Sequence, residues 1–313
     1  MRLANRMERL GTETAFDVLC RAKALECTRT VIHLEIGEPD FATPKHIVAA
    51  AKQALDEGWT HYGPSAGLPE LREAIAEYAG RLRGVKFFPE QVVVTPGAKP
   101  VMAFAIMALV DTGDEVIYPN PGFPIYESMI EYMGGRPVPV RLREERNFRL
   151  DAEELAQMVN SRTKLIVINS PANPTGGVLT REDLRLIADT ALKHNVWILA
   201  DEIYSEIVYD QPFESIAQFT DVHPRLIILD GFSKTFAMTG WRIGYGIMPK
   251  DMAEKMARIE TNINSCTATF IQRACLAALQ GPREPVERMV AEFRRRRDFI
   301  VDGLNRLPGF RCS

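Results

Sequence analysis

Short apolar runs rich in Val, Ile and Leu alternate along the chain with segments whose apolar residues recur at helical spacing. The runs predict seven β-strands, at 91–95, 115–118, 136–142, 165–169, 196–200, 226–229 and 243–247. Helical patterns fill most of the gaps, for example at 99–110, 153–160 and 181–194. This alternation predicts an α/β fold in which helices sandwich a mainly parallel seven-stranded sheet. Such sheets bind ligands beyond the carboxyl ends of their strands, so polar residues there are the functional candidates.

Composition limits the class of protein. With 313 residues the chain can form one large domain, or a large and a small one. A net charge of −3 provides no overall basic field to attract nucleic acid. The longest apolar run, 101–110, is too short to span a bilayer, and residues 1–30 lack an apolar signal core. We expect neither a nucleic-acid nor a membrane partner.

Cysteine and histidine usage argues against a metal site or a disulfide framework. The five cysteines are odd in number and show no CxxC spacing, and the five histidines are scattered. We therefore expect no bound metal, and a cytoplasmic location, where thiols stay reduced.

A basic run, Arg294–Arg297, lies in a helix predicted to begin near Pro285. Four successive residues cover the whole circumference of a helix, so they form no one-sided nucleic-acid patch. We expect a solvated helix with salt bridges.

The polar residues with the clearest chemical meaning follow predicted strands. Lys234 stands where the strand at 226–229 gives way to a Gly-containing loop, and Arg242 follows eight positions later. Asp201 follows the strand at 196–200, with Tyr204 three residues on. A carboxylate after a buried strand is costly unless it is paired or serves a ligand, although capping a helix would also explain it.

Weaker signals come from three loops. Asn173 lies in an Asn-Pro-Thr-Gly turn, and Phe123 lies in a Pro-rich loop where a ring can stack on a ligand or fill the core. The Gly-Ala-Lys stretch at 97–99 joins a strand to a helix, where backbone amides can bind phosphate or small residues can simply pack. Taken together, these loops and the residues above match the needs of one small molecule, pyridoxal 5′-phosphate.

These residues also carry a resemblance to a known family. The stretches IGEPDF, HYGPSAGLPELREAIAEY, NPTGG, DEIY and SKTFAMTGWRIGY occur in order between about residues 35 and 297. The sequence resembles the pyridoxal-phosphate aminotransferases of the aspartate aminotransferase family, which have fold type I. The last stretch, with its lysine and arginine eight positions apart, is the most specific.

The resemblance implies a role for each matching residue. Lys234 would bind the cofactor covalently and then move a proton between the substrate α-carbon and the cofactor. Asp201 would keep the pyridine nitrogen protonated. Asn173 and Tyr204 would hydrogen-bond the ring oxygen and favour its anionic form. The expected catalytic set is Lys234, Asp201 and Tyr204.

The resemblance also implies contacts to the phosphate, the ring face and the substrate. The residues expected at the phosphate are Gly97, Ala98, Lys99, Ser233 and Arg242. Phe123 would stack on the cofactor ring. Gly37, Phe123 and Asn173 would border the substrate. Tyr62 would reach the phosphate of the neighbouring subunit, so a homodimer is implied.

Two features depart from the family pattern. Some members carry a phosphate-binding serine three residues before the lysine, where this chain has Gly231, and we expect Ser233 to compensate. Family chains also continue beyond this sequence and supply an arginine for the substrate α-carboxylate, to which no residue here is assigned. We expect a large cofactor domain at 44–280, and a small domain made of 1–43 and 281–313 whose C-terminal part is missing.

The expected function is transamination, in two half-reactions, between an L-amino acid and a 2-oxo acid such as 2-oxoglutarate. Aspartate is the first donor to test, with alanine and aromatic amino acids as alternatives. Two other functions remain open on the same scaffold. One is pyridoxal-phosphate-dependent β-elimination or C–S lyase chemistry, and the other is a non-catalytic pyridoxal-phosphate sensor that regulates a partner.

Overall fold

One sheet of seven strands runs through the computed structural model, which describes residues 3–312. Its strands are β1 (Val92–Thr95), β2 (Glu115–Asn120), β3 (Arg136–Arg141), β4 (Thr163–Asn169), β5 (Trp197–Asp201), β6 (Leu226–Gly231) and β7 (Gly244–Ile247). Their spatial order is β1-β7-β6-β5-β4-β2-β3. Strand β7 is antiparallel to both of its neighbours, and the other pairings are parallel. The predicted α/β fold with a mainly parallel seven-stranded sheet is confirmed.

Helices connect and flank the strands. They are α1 (Ala15–Glu26), α2 (Lys45–Asp56), α3 (Pro69–Arg83), α4 (Lys99–Leu109), α5 (Ile125–Met133), α6 (Ala152–Met158), α7 (Arg181–His194), α8 (Lys250–Ile263), α9 (Thr269–Gln280) and α10 (Glu284–Asn305). Local sequence explains some boundaries. Helix α7, for example, begins with a capping box, in which Thr180 Oγ1 accepts from the Asp183 amide and the Asp183 carboxylate accepts from the Thr180 amide.

Both faces of the sheet are covered, which explains why its central strands β4, β5 and β6 carry continuous apolar runs rather than an alternating pattern. Val92 and Val94 belong to the buried cluster on one face, and Val93, between them, belongs to the cluster on the other. Ile166 and Val167 divide in the same way.

Helix α10 carries the arginine run and agrees with the prediction of a solvated helix. Arg294 and Arg297 both pair with Asp210, and Arg296 pairs with Asp40 and with Glu292. No helix in residues 3–312 combines the length and the apolar character needed to cross a bilayer.

Strand register brings five strand termini to one edge of the sheet. Asn169 and Asp201, the last residues of β4 and β5, are paired. Gly244, the first residue of the antiparallel β7, pairs with the last residues of its two neighbours, Thr95 of β1 and Gly231 of β6. The loops that follow β1, β4, β5 and β6, and the loop that precedes β7, therefore meet at this edge.

Candidate active site

The amine of Lys234 lies in the loop after β6 and is half-buried. Its Nζ donates a 2.6 Å hydrogen bond to the carbonyl oxygen of Gly37 and lies 5.8 Å from the ring centroid of Tyr204. Burial lowers the pKa of Lys234, and the positive charges of Lys99 and Arg242 lower it further. Nearby carboxylates act in the opposite direction and raise it. A lowered pKa makes the amine easier to obtain in its neutral, nucleophilic form.

Asp201 ends β5 and is buried. Oδ2 accepts a 2.6 Å hydrogen bond from the hydroxyl of Tyr126, and Oδ1 accepts one of 3.2 Å from the amide of Ile203. Burial raises the pKa of Asp201 to about 6, although these two hydrogen bonds act in the opposite direction. No basic side chain in residues 3–312 forms a salt bridge with it. The carboxylate would therefore be stabilised by a cationic ligand group.

The two residues expected at the ring oxygen flank Asp201 in the fold. Tyr204 is partly buried, and burial raises its pKa to about 12, so its hydroxyl keeps its proton and can donate it in a hydrogen bond. Asn173 follows β4, and its backbone amide donates to Oδ1 of Asn169 at 2.7 Å. Asn169 also donates from Nδ2 to the carbonyl oxygen of Asp201 at 3.0 Å. This second asparagine therefore ties the Asn173 turn to the end of β5.

The loop between β1 and α4 lies against Arg242. Gly97 has a φ of 98°, and a Cβ there would stand 2.3 Å from an Arg242 guanidinium nitrogen. A Cβ on Gly244 would likewise stand 2.5 Å from the amide nitrogen of Ala98. The amides of Ala98 and Lys99 have no hydrogen-bond acceptor among the described residues. Free amides beside a guanidinium are suited to an anion such as phosphate.

Three further predicted residues lie beside these groups. Ser233 is buried next to Lys234, and the backbone of Gly37 meets the amine of Lys234. Phe123 precedes α5, and its ring contacts the Tyr126 ring edge to face, with 5.7 Å between centroids. Phe123 also lies 5.1 Å from the amine of Lys99. These contacts connect the Phe123 loop both to Tyr126, the hydrogen-bond partner of Asp201, and to the loop between β1 and α4.

Gly231 occupies the position where some family members carry serine, and the structure gives a physical reason for the glycine. A Cβ at Gly231 would stand 2.9 Å from Cα of Gly244 on the neighbouring strand. A serine here would force β6 and β7 apart.

Tyr62 is the one predicted residue that the fold does not bring to the others within one chain. Its side chain is 88% exposed and makes no hydrogen bond to a described residue. The prediction for Tyr62 concerns a neighbouring subunit, and it stays a prediction.

A buried ion cluster that was not predicted from the sequence adjoins the site at Asp201. Arg83, at the end of α3, donates to Glu202 at 2.7 Å and to Asp230 at 2.8 Å, and all three side chains are buried. Ser215 donates to the second oxygen of Glu202 at 2.7 Å. Because Glu202 follows Asp201 and Asp230 lies in β6, Arg83 fixes the ends of both strands. A carboxylate next to Asp201 in DEIY was the only sequence signal for this cluster.

Tyr126 and Glu13 were also missed. Tyr126 lies three residues after Phe123 in an ordinary helical pattern, and nothing local marks it as the partner of Asp201. Glu13 lies in the chain before α1, yet its carboxylate contacts Lys99. Both contacts join residues that are distant in sequence, which composition and spacing do not reveal.

Comparisons with known proteins show which family this chain resembles. The sequence profile described as Aminotransferase class I and II matches residues 29–313. The probable aspartate aminotransferase of Methanocaldococcus jannaschii is 45% identical over 283 residues, which cover 88% of this chain and 74% of that protein. The aspartate aminotransferase from Thermus thermophilus with maleate has a TM-score of 0.94 and 37% identity, covering 97% of this chain and 81% of that one. The aromatic aminotransferase from Pyrococcus horikoshii has a TM-score of 0.86 and 43% identity, covering 91% and 77%.

These similarities extend over nearly the whole chain and confirm the predicted enzyme class, a transaminase. Aspartate aminotransferases use pyridoxal phosphate. The chain belongs to the class I and II aminotransferases.

Proposed function

We propose that this aminotransferase binds pyridoxal phosphate covalently at Lys234 and transfers the amino group of L-aspartate to 2-oxoglutarate. The observation that carries the proposal is the presence of both Lys234 and Asp201 at one edge of the sheet. Lys234 is an amine whose pKa burial lowers, and Asp201 is a buried carboxylate with no basic partner in residues 3–312. Such a pair matches the two ends of the cofactor ring that need an amine and an acid.

The residues present fit the cofactor at its other groups as well. For the phosphate there are the amides of Ala98 and Lys99, which have no acceptor among the described residues, and the fork of Arg242. The guanidinium of Arg242 can lie against this loop only because residue 97 lacks a Cβ. For the ring oxygen there are the Tyr204 hydroxyl, which stays protonated, and the side-chain amide of Asn173. Each group is a donor where the cofactor has an acceptor.

When bound, pyridoxal phosphate supplies an electron-poor ring that draws electron density from the substrate α-carbon. The proton of that carbon needs a base, and Nζ of Lys234 is the candidate, because its pKa is lowered and a neutral amine accepts a proton. The carbonyl oxygen of Gly37, 2.6 Å from Nζ, orients the amine and accepts its hydrogen bond. Arg242 and Lys99 add positive charge that disfavours the protonated amine.

Asp201 acts as an anchor for positive charge. Its burial makes the isolated carboxylate unfavourable, so pairing with a protonated ring nitrogen offsets a cost that the protein already bears. Tyr126 and the amide of Ile203 hold the two carboxylate oxygens and fix the orientation of the pair. Phe123, supported edge to face by Tyr126, is the candidate for contact with the ring face and the substrate.

Aspartate is proposed as the donor because two of the similar proteins named above are aspartate aminotransferases. Aromatic amino acids are the second candidate. The P. horikoshii structure is named an aromatic aminotransferase, and the rings of Phe16 and Phe123 lie 5.6 and 5.1 Å from the amine of Lys99. These rings offer an apolar surface at the side of the site.

The proposal includes a homodimer, a domain division and a location. The exposure of Tyr62 supports its use by a neighbouring subunit. The whole sheet lies between Val92 and Ile247, and this supports a large domain at 44–280 with the remaining chain in a small domain. The odd number of cysteines and the absence of CxxC spacing support a reducing, cytoplasmic compartment.

The test combines attachment and turnover. The purified protein is loaded with pyridoxal phosphate and reduced with borohydride, and the modified peptide is mapped by mass spectrometry. We expect the label on Lys234. The Lys234→Ala variant should lose the label, and the surface control Lys250→Ala should keep it. Label on another lysine would overturn the assignment.

Turnover is measured with aspartate, alanine, phenylalanine and tyrosine against 2-oxoglutarate. Aspartate should give oxaloacetate and glutamate at the highest kcat/KM. A higher value for an aromatic donor would replace the aspartate assignment. Release of ammonia with pyruvate from S-methylcysteine, whose β-carbon carries a thiolate leaving group, would indicate a lyase.

A further inference from the structure

Glu13, in the chain before α1, forms an ion pair with Lys99 at the start of α4. Its Oε2 lies 2.5 Å from Nζ of Lys99, and the Glu13 side chain is 24% exposed against 44% for Lys99. The carboxylate is therefore the better buried partner. The pair joins an N-terminal segment to the loop proposed to bind the cofactor phosphate, 86 positions away.

The surroundings place Glu13 at the site. The amine of Lys99 lies 5.6 Å from the ring centroid of Phe16 and 5.1 Å from that of Phe123, and Phe123 belongs to the proposed site. The negative charge of Glu13 also raises the pKa of Lys234 and that of Tyr204. An incoming carboxylate or phosphate would meet Lys99 already neutralised by a group of the protein itself.

The segment that carries Glu13 is only lightly attached. None of the residues of α1, which follows, is buried. Arg9 connects the preceding chain to α5 by donating to the carbonyl oxygens of Glu131, at 2.7 Å, and Tyr132, at 3.5 Å. Few contacts thus oppose a movement of Glu13 away from Lys99.

We propose that Glu13 is a specificity-determining residue, an internal carboxylate that an anionic group of the ligand must displace from Lys99. The anionic group is either the second carboxylate of a dicarboxylic substrate or the phosphate of the cofactor. This inference rests on the proposed function. Glu13 weakens the binding of that anion, whereas an apolar side chain contacts Phe16 and Phe123 and leaves the ion pair intact. When the anion is the second carboxylate of the substrate, Glu13 thereby lowers the affinity for acidic amino acids relative to that for apolar ones.

The experiment compares wild type with Glu13→Gln, using Asp17→Asn on α1 as the control of equal charge change. Asp17 is exposed and forms no salt bridge with a described residue. Calorimetry of the holoenzyme gives the Kd of succinate, a four-carbon dicarboxylate, and of butyrate, its monocarboxylate counterpart. The Kd of pyridoxal phosphate is measured on the apo-protein. The same measurements in Lys99→Met, with and without Glu13→Gln, show whether the effect acts through Lys99.

Glu13→Gln should lower the Kd of succinate about fivefold, the scale of a partly exposed ion pair, and change that of butyrate less than about twofold. The effect should vanish in the Lys99→Met background. A lower Kd for pyridoxal phosphate with unchanged succinate binding would identify phosphate as the anion that displaces Glu13 and would overturn the role of Glu13 in substrate specificity. Equal changes for succinate and butyrate, an effect that persists in Lys99→Met, or no change in any Kd would overturn the inference. Normal aspartate turnover by the same wild-type preparation separates that failure from a failure of the proposed function.

Discussion

The hydroxyl of Tyr126 donates a 2.6 Å hydrogen bond to Oδ2 of Asp201, and both side chains are buried. The Tyr126 ring also contacts Phe123 edge to face. One side chain therefore positions the carboxylate proposed for the ring nitrogen and the aromatic group proposed for the ring face. Burial raises the pKa of Asp201, and the hydrogen bond from Tyr126 limits that rise.

Tyr126→Phe should raise the pKa of Asp201 further, because it removes the hydroxyl that stabilises the ionised form. Only ionised Asp201 can pair with a protonated ring nitrogen. The affinity of the apo-protein for pyridoxal phosphate should therefore begin to fall at a higher pH in the variant as the solution is acidified. At pH 7 it should be weaker by about two- to tenfold, since losing a hydrogen bond of about 1.5–3 kcal/mol to the ionised form raises the pKa of Asp201 by about one to two units. Fluorescence titration from pH 5 to 8 measures both effects.

Tyr132→Phe, in the same helix, is the matched control and should follow the wild-type profile. Identical profiles for Tyr126→Phe and wild type would mean that the Asp201 carboxylate keeps its ionisation and orientation without the hydroxyl.

Asp201 also makes the stability of the apo-protein depend on pH. Burial raises its pKa from 3.8 to about 6. A carboxyl group whose folded-state pKa is raised contributes its stability fully below its unfolded value, near pH 4, and loses it as pH rises through the folded value. Asp201→Asn should thus raise the free energy of unfolding of the apo-protein at pH 7.5, by up to about 3 kcal/mol for two pKa units. At pH 4 it should change little.

Urea denaturation at the two pH values measures this effect, with the exposed Asp56→Asn as the control. Bound pyridoxal phosphate should reverse the order at pH 7.5, because a protonated ring nitrogen would stabilise the native carboxylate. The same gain at pH 4 and pH 7.5 would contradict a role for Asp201 ionisation.

Sequence predicted those features that local pattern determines. The seven strands followed from short apolar runs. Lys234 and Asp201 were identified because polar residues at or shortly after the ends of such runs meet at one edge of a parallel sheet. Their proposed roles came from the family resemblance.

Features that depend on contacts between distant segments were not predicted. Tyr126 and Asp201 are 75 positions apart, and Arg83 and Asp230 are 147 apart. Tyr126 and Arg83 each lie in a helix whose own periodicity gives no sign of a polar partner. The glycine at 231 departs from the pattern of some family members, and the 2.9 Å approach of the neighbouring strand explains it.

Arg83 should be essential to the stability of the sheet edge at which the candidate site lies. Arg83→Met keeps an unbranched side chain but leaves Glu202 and Asp230 buried without a counterion. Breaking a buried ion pair by removing one partner costs about 3–5 kcal/mol. We expect a loss of that size in urea denaturation at pH 7.5, and a smaller loss near pH 5, because burial already raises the pKa of both carboxyl groups and protonation removes the uncompensated charge.

Arg81→Met, at an exposed position in the same helix, should cost less than about 0.5 kcal/mol. An equally small loss for Arg83→Met would mean that the cluster contributes little beyond what packing alone provides.

Tyr62 provides a test of the proposed homodimer that does not depend on measuring mass. If Tyr62 completes the site of the neighbouring subunit, a hybrid of a Tyr62→Phe protomer and a Lys234→Ala protomer contains one site with both changes and one site with neither. Tyr62→Phe homodimers should lose cofactor affinity, and Lys234→Ala homodimers should be inactive. Mixing the two under subunit exchange, at limiting pyridoxal phosphate, should therefore raise activity above the sum of the parents, towards half that of wild type in each hybrid.

A mixture of Tyr62→Phe with wild-type protomers controls for exchange itself. If activity in the mixture equals the sum of the parents although exchange has occurred, Tyr62 serves its own subunit or no site at all, because in that arrangement every hybrid site retains one of the two changes.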